Sequence, residues 1–217
     1  MQNDMMNDYK SYLAFLMAGN RGKCYEILIK RIESGDDIID IYTHFIQMSL
    51  YEIGELWQKN KISVAVEHMA TAITESLLSY LYPHFVKKTK NGKKAVICGI
   101  TSERHQLGSR LVADYMDILG WHTSFLGSNV PVNDLMNFIE INNPDIICLS
   151  VTMYYNIIHL RTCLEEINSN YPETPVIVGG QAFHWGGYGV VNDFSNVSVV
   201  YSLMELKQQL SEYASVS

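Results

Sequence analysis

One short run of the chain combines residue types that can hold a metal or polarise a ligand: Thr101-Ser102-Glu103-Arg104-His105-Gln106-Leu107-Gly108. A carboxylate two residues before a histidine can hold one ring nitrogen as a donor. That fixes the tautomer and places the lone pair on the other nitrogen, where a metal can take it. Gly108 lets a bulky group approach the start of the following segment. The same residues also describe a solvated loop histidine near a helix N-terminus, so the run gains meaning only from its surroundings. Two other places supply them. Leu149-Ser150-Val151-Thr152 ends an apolar run with two small hydroxyls, and Val178-Gly179-Gly180-Gln181 ends another where absent side chains open a slot. Gly108 and Ser150 are separated by 41 residues, and Thr152 and Gly179 by 26.

The elements that must position these groups follow from texture. From Lys93 onward, KKAVICGI, HTSFLG, NPDIICLSVT, PVIVGG and VSVVYS read as five apolar strands, with helical segments between them. The first of these helices spans about residues 106 to 119. Strands of this kind alternating with helices predict an α/β unit with a parallel sheet covered on both faces, whose ligands bind at the carboxyl ends of the strands. The histidine run, the hydroxyl pair and the glycine pair all fall at that one edge and outline a long narrow pocket. Asn129 and Val130 follow the second strand at the same edge, where their backbone can meet a ligand. His184-Trp185-Gly186-Gly187 either lines the pocket or forms a loop beside it.

Residues 1 to about 86 carry helical periodicity and no strand signal. Four helices with short connections predict a small antiparallel bundle. The first repeats Tyr9, Tyr12, Leu13 and Leu16 and stops at Gly19-Asn20; the second ends at Ser34-Gly35; Asp36-Asp37 opens the third, which reaches about Trp57. Ser63 caps the fourth, expected to stop near Tyr82 before Pro83 and to bury Val66, Met69, Ala70, Ile73, Leu77, Tyr80 and Leu81. The expected domains are a helical unit over 1–88 and an α/β unit over 89–217, joined through Lys87–Gly92.

Composition narrows the functions. The 217 residues are 47% hydrophobic and 18% charged, an ordinary globular balance. Sixteen basic against 23 acidic residues give a net charge of −7 and no extended basic run, a poor basis for direct nucleic-acid binding. No apolar stretch has membrane-spanning length, and the polar N-terminus is unlike a signal peptide. Four scattered cysteines without zinc spacing suit a reduced, cytoplasmic protein.

The three-part pattern of Glu103-x-His105-x-x-Gly108, Ser150-x-Thr152 and Gly179-Gly180 resembles the cobalamin-binding Rossmann-like (flavodoxin-like) domain, over roughly residues 92 to 214. That family's pattern is Asp-x-His-x-x-Gly, Ser-x-Leu and Gly-Gly at similar separations. The resemblance implies that His105 ligates cobalt from the lower face with Glu103 as its partner. It also implies that the cofactor's own benzimidazole lies in a slot beside Ser150, Thr152, Gly179, Gly180 and Gln181, and that Arg104, Gln106 and Leu107 complete the cofactor-binding loop. Glu103 and Thr152 depart from the family pattern, which has Asp and Leu.

A helical bundle before such a domain is found in corrinoid methyl carriers and in CarH-type light sensors, which use adenosylcobalamin as chromophore. Trp57, followed after nine residues by Glu67-His68, resembles the upper-face signature of the light-sensing group. On the fourth helix His68 falls nearly opposite the apolar stripe, alongside Thr71 and Glu75. The resemblance implies that Trp57 stacks over the upper ligand, that Glu67 hydrogen-bonds it and that His68 lines its pocket. Gln58 stands where CarH-type sensors carry a histidine that takes the upper cobalt position after light. The implied function is an adenosylcobalamin light sensor, not an enzyme. It signals through homo-oligomerisation, as a dimer or tetramer, or through a protein partner such as a transcription regulator, as in AerR-type antirepressors. With about eight residues before its first helix, the chain is expected to lack a DNA-binding winged helix. The alternatives are a methylcobalamin carrier for a methyltransferase system, or a sensor that also holds an open-chain bilin.

Overall fold

The computed structural model describes residues 2–85 and 89–215. The chain divides into two compact units, Met1–Val86 and Lys87–Ser217. Lys87 and Lys88 of the expected linker lie outside the described residues.

The first unit is helical. Its helices span Gln2–Met17 and Arg21–Glu33, then a continuous stretch of Ile38–Ile41, Tyr42–Gln47 and Met48–Gln58, and finally Val64–Phe85. Local chemistry sets the boundaries. Gly19 turns the chain at φ +76°, and the Asn20 side chain accepts from Lys23 N at 3.1 Å to cap the second helix. The Asp37 carboxylate accepts from Ile39 N at 2.9 Å, and Ser63 Oγ from Val66 N at 3.4 Å. The Gly19 turn and the Asp37 and Ser63 caps are the signals visible in the sequence.

Four features differ from the sequence reading. The first helix begins at Gln2 rather than near Tyr9, with Asp4 in its first turn where the helix dipole favours a carboxylate. Tyr42–Gln47 is π-helical, and Phe45, Ile46 and Gln47 are buried in succession there, a run that a 3.6-residue period does not produce. The last helix continues through Pro83 to Phe85, because a proline near the end of a helix forfeits only one backbone bond of the final turn. Tyr80 is 56% exposed rather than in the core, and its ring packs edge-on against Tyr25 with centroids 5.8 Å apart. Ala70, Ile73, Leu77 and Leu81 are buried as expected.

The second unit is a five-stranded parallel sheet: β1 Lys94–Gly99, β2 His122–Phe125, β3 Ile146–Ser150, β4 Val176–Gly179 and β5 Val197–Val200. The spatial order is β2-β1-β3-β4-β5, so the connections diverge between β1 and β3 and open a crevice at the carboxyl ends of those strands. Every residue of β1 after Lys94, and all of β3, is buried, which is why these segments read as continuous apolar runs. Side chains alternate across the sheet. Val96, Cys98, Ile147, Leu149, Val176 and Val178 share one core with the helices Val132–Asn142 and Ile157–Asn170. On the other face Cys148 Sγ lies 3.8 Å from Met116 Sδ of the helix Leu107–Ile118. There too Ser198 Oγ donates to Gln209 of the helix Leu203–Ser215 at 2.8 Å. This parity decides which residues of the carboxyl edge can meet.

All four cysteines are buried free thiols. Burial pushes Cys148 and Cys163 up to about 12, which leaves them packing groups rather than nucleophiles. No helix among the described residues is long and apolar enough to cross a membrane. Because Ile147 lies fully buried in the central strand, Ile147→Ala should cost about 2–5 kcal/mol of stability in a urea titration.

Candidate functional site

The loop after β1 is held from both neighbouring strands. On the β2 side, Ser102 sits at φ +67° and its N–H donates to Asn129 Oδ1 at 2.8 Å. Asn129 itself is at φ +54°, a conformation asparagine tolerates better than most side chains. Thr101 Oγ1 donates to the Val130 carbonyl at 3.0 Å. On the β3 side the contact is Glu103, which is fully buried. Its Oε1 accepts from the His105 backbone N–H at 3.0 Å and from His105 Nδ1 at 2.5 Å. Its Oε2 accepts from Thr152 N at 2.9 Å, Met153 N at 3.1 Å and Asn156 Nδ2 at 3.1 Å.

Burial alone would raise the Glu103 pKa. The hydrogen bonds from the His105 ring and backbone, the Met153 amide and the Asn156 side chain outweigh it, and the carboxyl is held down at about 2. An ionised acceptor makes Nδ1–H the donor in its bond to His105, and in the neutral ring Nε2 then carries the lone pair. The His105 side chain is 53% exposed. The imidazole is therefore anchored by one nitrogen while its ring reaches the surface at the sheet's carboxyl edge. The glutamate in place of the family's aspartate has a structural use, since its longer arm spans from the β1 loop to the β3 loop.

The parity of the strands brings Ser150, Gly108 and Gly179 to one face of the sheet. Ser150 is buried, and a Cβ built on Gly108 would lie 3.4 Å from Ser150 Oγ. Gly108 is itself exposed, in the first turn of Leu107–Ile118, with buried Leu107 beside it. The glycine pair differs from the expected open slot. A Cβ on Gly179 would lie 3.0 Å from the Val200 carbonyl oxygen, and one on Gly180, at φ +117°, would lie 2.2 Å from that of Val151. Neighbouring backbone thus fills the space at both positions, most tightly at Gly180. Thr152 contributes its backbone N–H to Glu103, and Gln181 opens the short helical turn Gln181–Trp185. Arg104 and Gln106 are exposed on either side of His105. The His184 ring packs on Tyr201, with centroids 5.7 Å apart. Tyr201 is partly buried and packs against the core of the opposite sheet face, across from Ser150.

In the helical unit Trp57 lies in the last turn of Met48–Gln58 and is 40% exposed, with Gln58 exposed beside it. Glu67, in the first turn of the next helix, bonds His68 Nδ1 at 2.5 Å through Oε2 and accepts from Thr71 Oγ1 at 3.0 Å through Oε1. The His68 side chain is 73% exposed, in keeping with its expected place off the apolar stripe.

Asn156, Met153 and the side-chain role of Asn129 escaped the sequence reading. Asn156 is 1% exposed, and only its position six residues after Ser150 on the same post-strand segment hinted at a partner for Glu103. Among the described residues no group of three or more His, Cys, Asp or Glu could hold a metal ion. A single anchored histidine instead fits a metal that arrives with its remaining ligands already in a macrocycle.

Comparison with known proteins agrees. Two models, each described as a B12 binding domain, match residues 9–82 and 93–188. The HTH-type transcriptional repressor CarH of Myxococcus xanthus is 27% identical over 135 residues, which is 61% of this chain and 44% of that protein. The trimethylamine corrinoid protein of Methanosarcina barkeri is 22% identical over 161 residues, 71% of this chain and 74% of that one. The structure of Methanosarcina barkeri monomethylamine corrinoid protein superposes with a TM-score of 0.82 at 14% identity, covering 96% of this chain and 99% of that chain. The chain spans less than half the length of CarH and of the related repressor CarA, of which it covers 41%.

Fold and sequence place the chain in one class, the cobalamin-binding proteins. Within that class it belongs to those built from a helical cap followed by a Rossmann-like B12-binding domain.

Two substitutions test the geometry. Asn156→Ala should cost about 1–3 kcal/mol in denaturant unfolding, because it removes a donor from a buried charge. Gly180→Ala should cost on the order of 2–4 kcal/mol, since neither φ nor the Val151 carbonyl accommodates a Cβ.

Proposed function

We propose that the chain is a cobalamin light sensor with adenosylcobalamin as chromophore. In this reading His105 Nε2, anchored by Glu103, would hold the cobalt, and Gly108, Ser150 and Gly179 would border the cofactor's nucleotide tail. Bound adenosylcobalamin supplies a light-labile cobalt–carbon bond. Trp57 would stack on the adenosyl group, and Glu67 and His68 would hold its polar edge. Once they no longer hold the adenosyl group, Trp57, Glu67 and His68 would be free for other contacts, and a few kcal/mol of differential contact suffices to shift a two-state interface. The output is a change in self-association or in binding to a protein partner such as a transcription regulator, rather than turnover of a substrate.

Two observations carry the reading: Trp57 is 40% exposed at the end of its helix, and the Glu67 carboxylate is oriented by His68 and Thr71. The similarity to CarH supports it. A second reading, a corrinoid carrier for a methyltransferase system, is favoured by the end-to-end match to the monomethylamine corrinoid protein. Gln58 in place of a histidine also suits a protein that never needs a second protein ligand on cobalt.

Visible spectra of the protein with adenosylcobalamin, before and after green light, with size-exclusion chromatography of both samples, separate the two. The sensor reading expects a lasting protein-specific spectral change and a change in size or partner binding. Binding without either outcome points to the carrier. Trp57→Ala should retain cobalamin yet lose its preference for the adenosyl over the methyl form, measured by competition. His105→Ala should abolish the histidine-ligated spectrum.

A further inference from the structure

We propose that Asn91 is a site of spontaneous covalent modification: the Gly92 nitrogen attacks its side-chain amide, and the product frees the segment that leads into β1 from its anchor at Gly120.

Asn91-Gly92 is the single Asn-Gly step in the 217 residues. Both residues are exposed, close after the boundary between the two units. Gly92 sits at φ +84°, and a Cβ built on it would meet nothing within 4 Å. Neither a side chain of its own nor a neighbour therefore shields its nitrogen. The Gly92 N–H also donates to nothing among the described residues. The electrophile is arranged as well. Asn91 Oδ1 accepts from Lys93 N at 2.9 Å, an Asx turn that folds the side-chain carbonyl over the backbone it must react with. The same donor stabilises the negative charge that develops on Oδ1 during attack. Lys93 and Lys94 follow directly, and their positive charge favours loss of the Gly92 proton.

Several other asparagines outside the helices lack the free nitrogen. The N–H after Asn20 is held by the Gly19 carbonyl at 3.0 Å, and that after Asn60 by the Leu56 carbonyl at 2.8 Å. Those after Asn129 and Asn196 are held by Gly99 at 3.2 Å and Phe194 at 3.4 Å. Asn143 precedes a proline, which has no N–H.

The step balances with water alone. Gly92 N gives its proton to solvent base and bonds to Asn91 Cγ. The Cγ–Nδ2 bond breaks, and the amide takes up a proton and leaves as ammonia. Water then opens the five-membered imide. Attack at Cγ yields aspartate, whereas attack at the main-chain carbonyl carbon yields isoaspartate, whose main chain runs through Cβ and Cγ and is one atom longer. The segment cannot absorb that atom in place. Asn91 N donates to the Gly120 carbonyl at 2.8 Å, and the Lys93 carbonyl accepts from His122 N at 2.8 Å. These two bonds tie positions 91 and 93 to one neighbouring stretch at ordinary backbone spacing, and isoaspartate breaks that match together with the Asx turn.

The test needs no cofactor. Full-length protein is kept for several weeks in mildly alkaline and in mildly acidic buffer, beside the same chain unfolded in urea. Peptide mass spectrometry follows each asparagine, and methylation by protein isoaspartate methyltransferase counts the isoaspartate. In the native protein Asn91 should gain nearly one mass unit before any other asparagine. Its rate should lie within several-fold of that of the unfolded chain and be several-fold faster in the alkaline buffer. Asn91→Ser, whose hydroxyl can still accept from Lys93 N, should remove this first mass gain from the intact protein. Native protein that keeps Asn91 while the unfolded chain converts would overturn the proposal, as would earlier conversion at another asparagine. In the isoaspartate form the Lys93 amide should exchange several-fold faster with solvent while those of Ile97 and Cys98 are unchanged. An isoaspartate form with the Lys93 amide as protected as before would overturn the release of the segment.

Discussion

One fully buried carboxylate, Glu103, organises the carboxyl edge of the sheet. A buried ion is tolerated only when its acceptor capacity is filled. Here the donors come from the loop after β1 and from the segment after β3, the two sides of the point where the connections diverge. The need to satisfy that charge fixes the imidazole of His105, its tautomer and the path of the Thr152–Asn156 backbone at once. Ser102 and Asn129, both in left-handed conformations, lock the same loop to the strand on its other side. The histidine is thus held in place by the protein before any ligand is present, which lowers the cost of ordering on binding.

The rest of the site follows from sheet parity. Ser150 and Gly179 occupy the face against which Leu107–Ile118 packs, so the small residue at Gly108 meets the hydroxyl of Ser150. Gly180 points the other way, and there the backbone of Val151 is the reason for glycine. Two adjacent glycines thus answer to separate constraints, one on each side of the sheet edge.

Much of this was legible from residues alone. The five strands announce themselves because a doubly covered parallel sheet demands continuous apolar runs, and Asp37, Ser63 and Gly19 mark helix limits through chemistry that needs no partner. The pairing of Glu103 with His105 is local and could be read as well. The contributions of Asn156, Met153 and Asn129 could not, because they depend on which strands become neighbours, a relation the chain order hides. The π-helical turn at Tyr42–Gln47 and the exposure of Tyr80 were missed for a similar reason: tertiary packing, not periodicity, decides both.

The central claim is that His105, oriented by Glu103, is the protein's ligand to cobalt. Electron paramagnetic resonance of the protein loaded with cobalt(II) cobalamin, with ¹⁵N introduced only at histidine, tests it most directly. Ligation by His105 predicts that the superhyperfine triplet from the axial nitrogen becomes a doublet on labelling and that His105→Ala loses it. A triplet that persists with labelled histidine would show the cofactor's own benzimidazole still on the metal and would contradict the assignment.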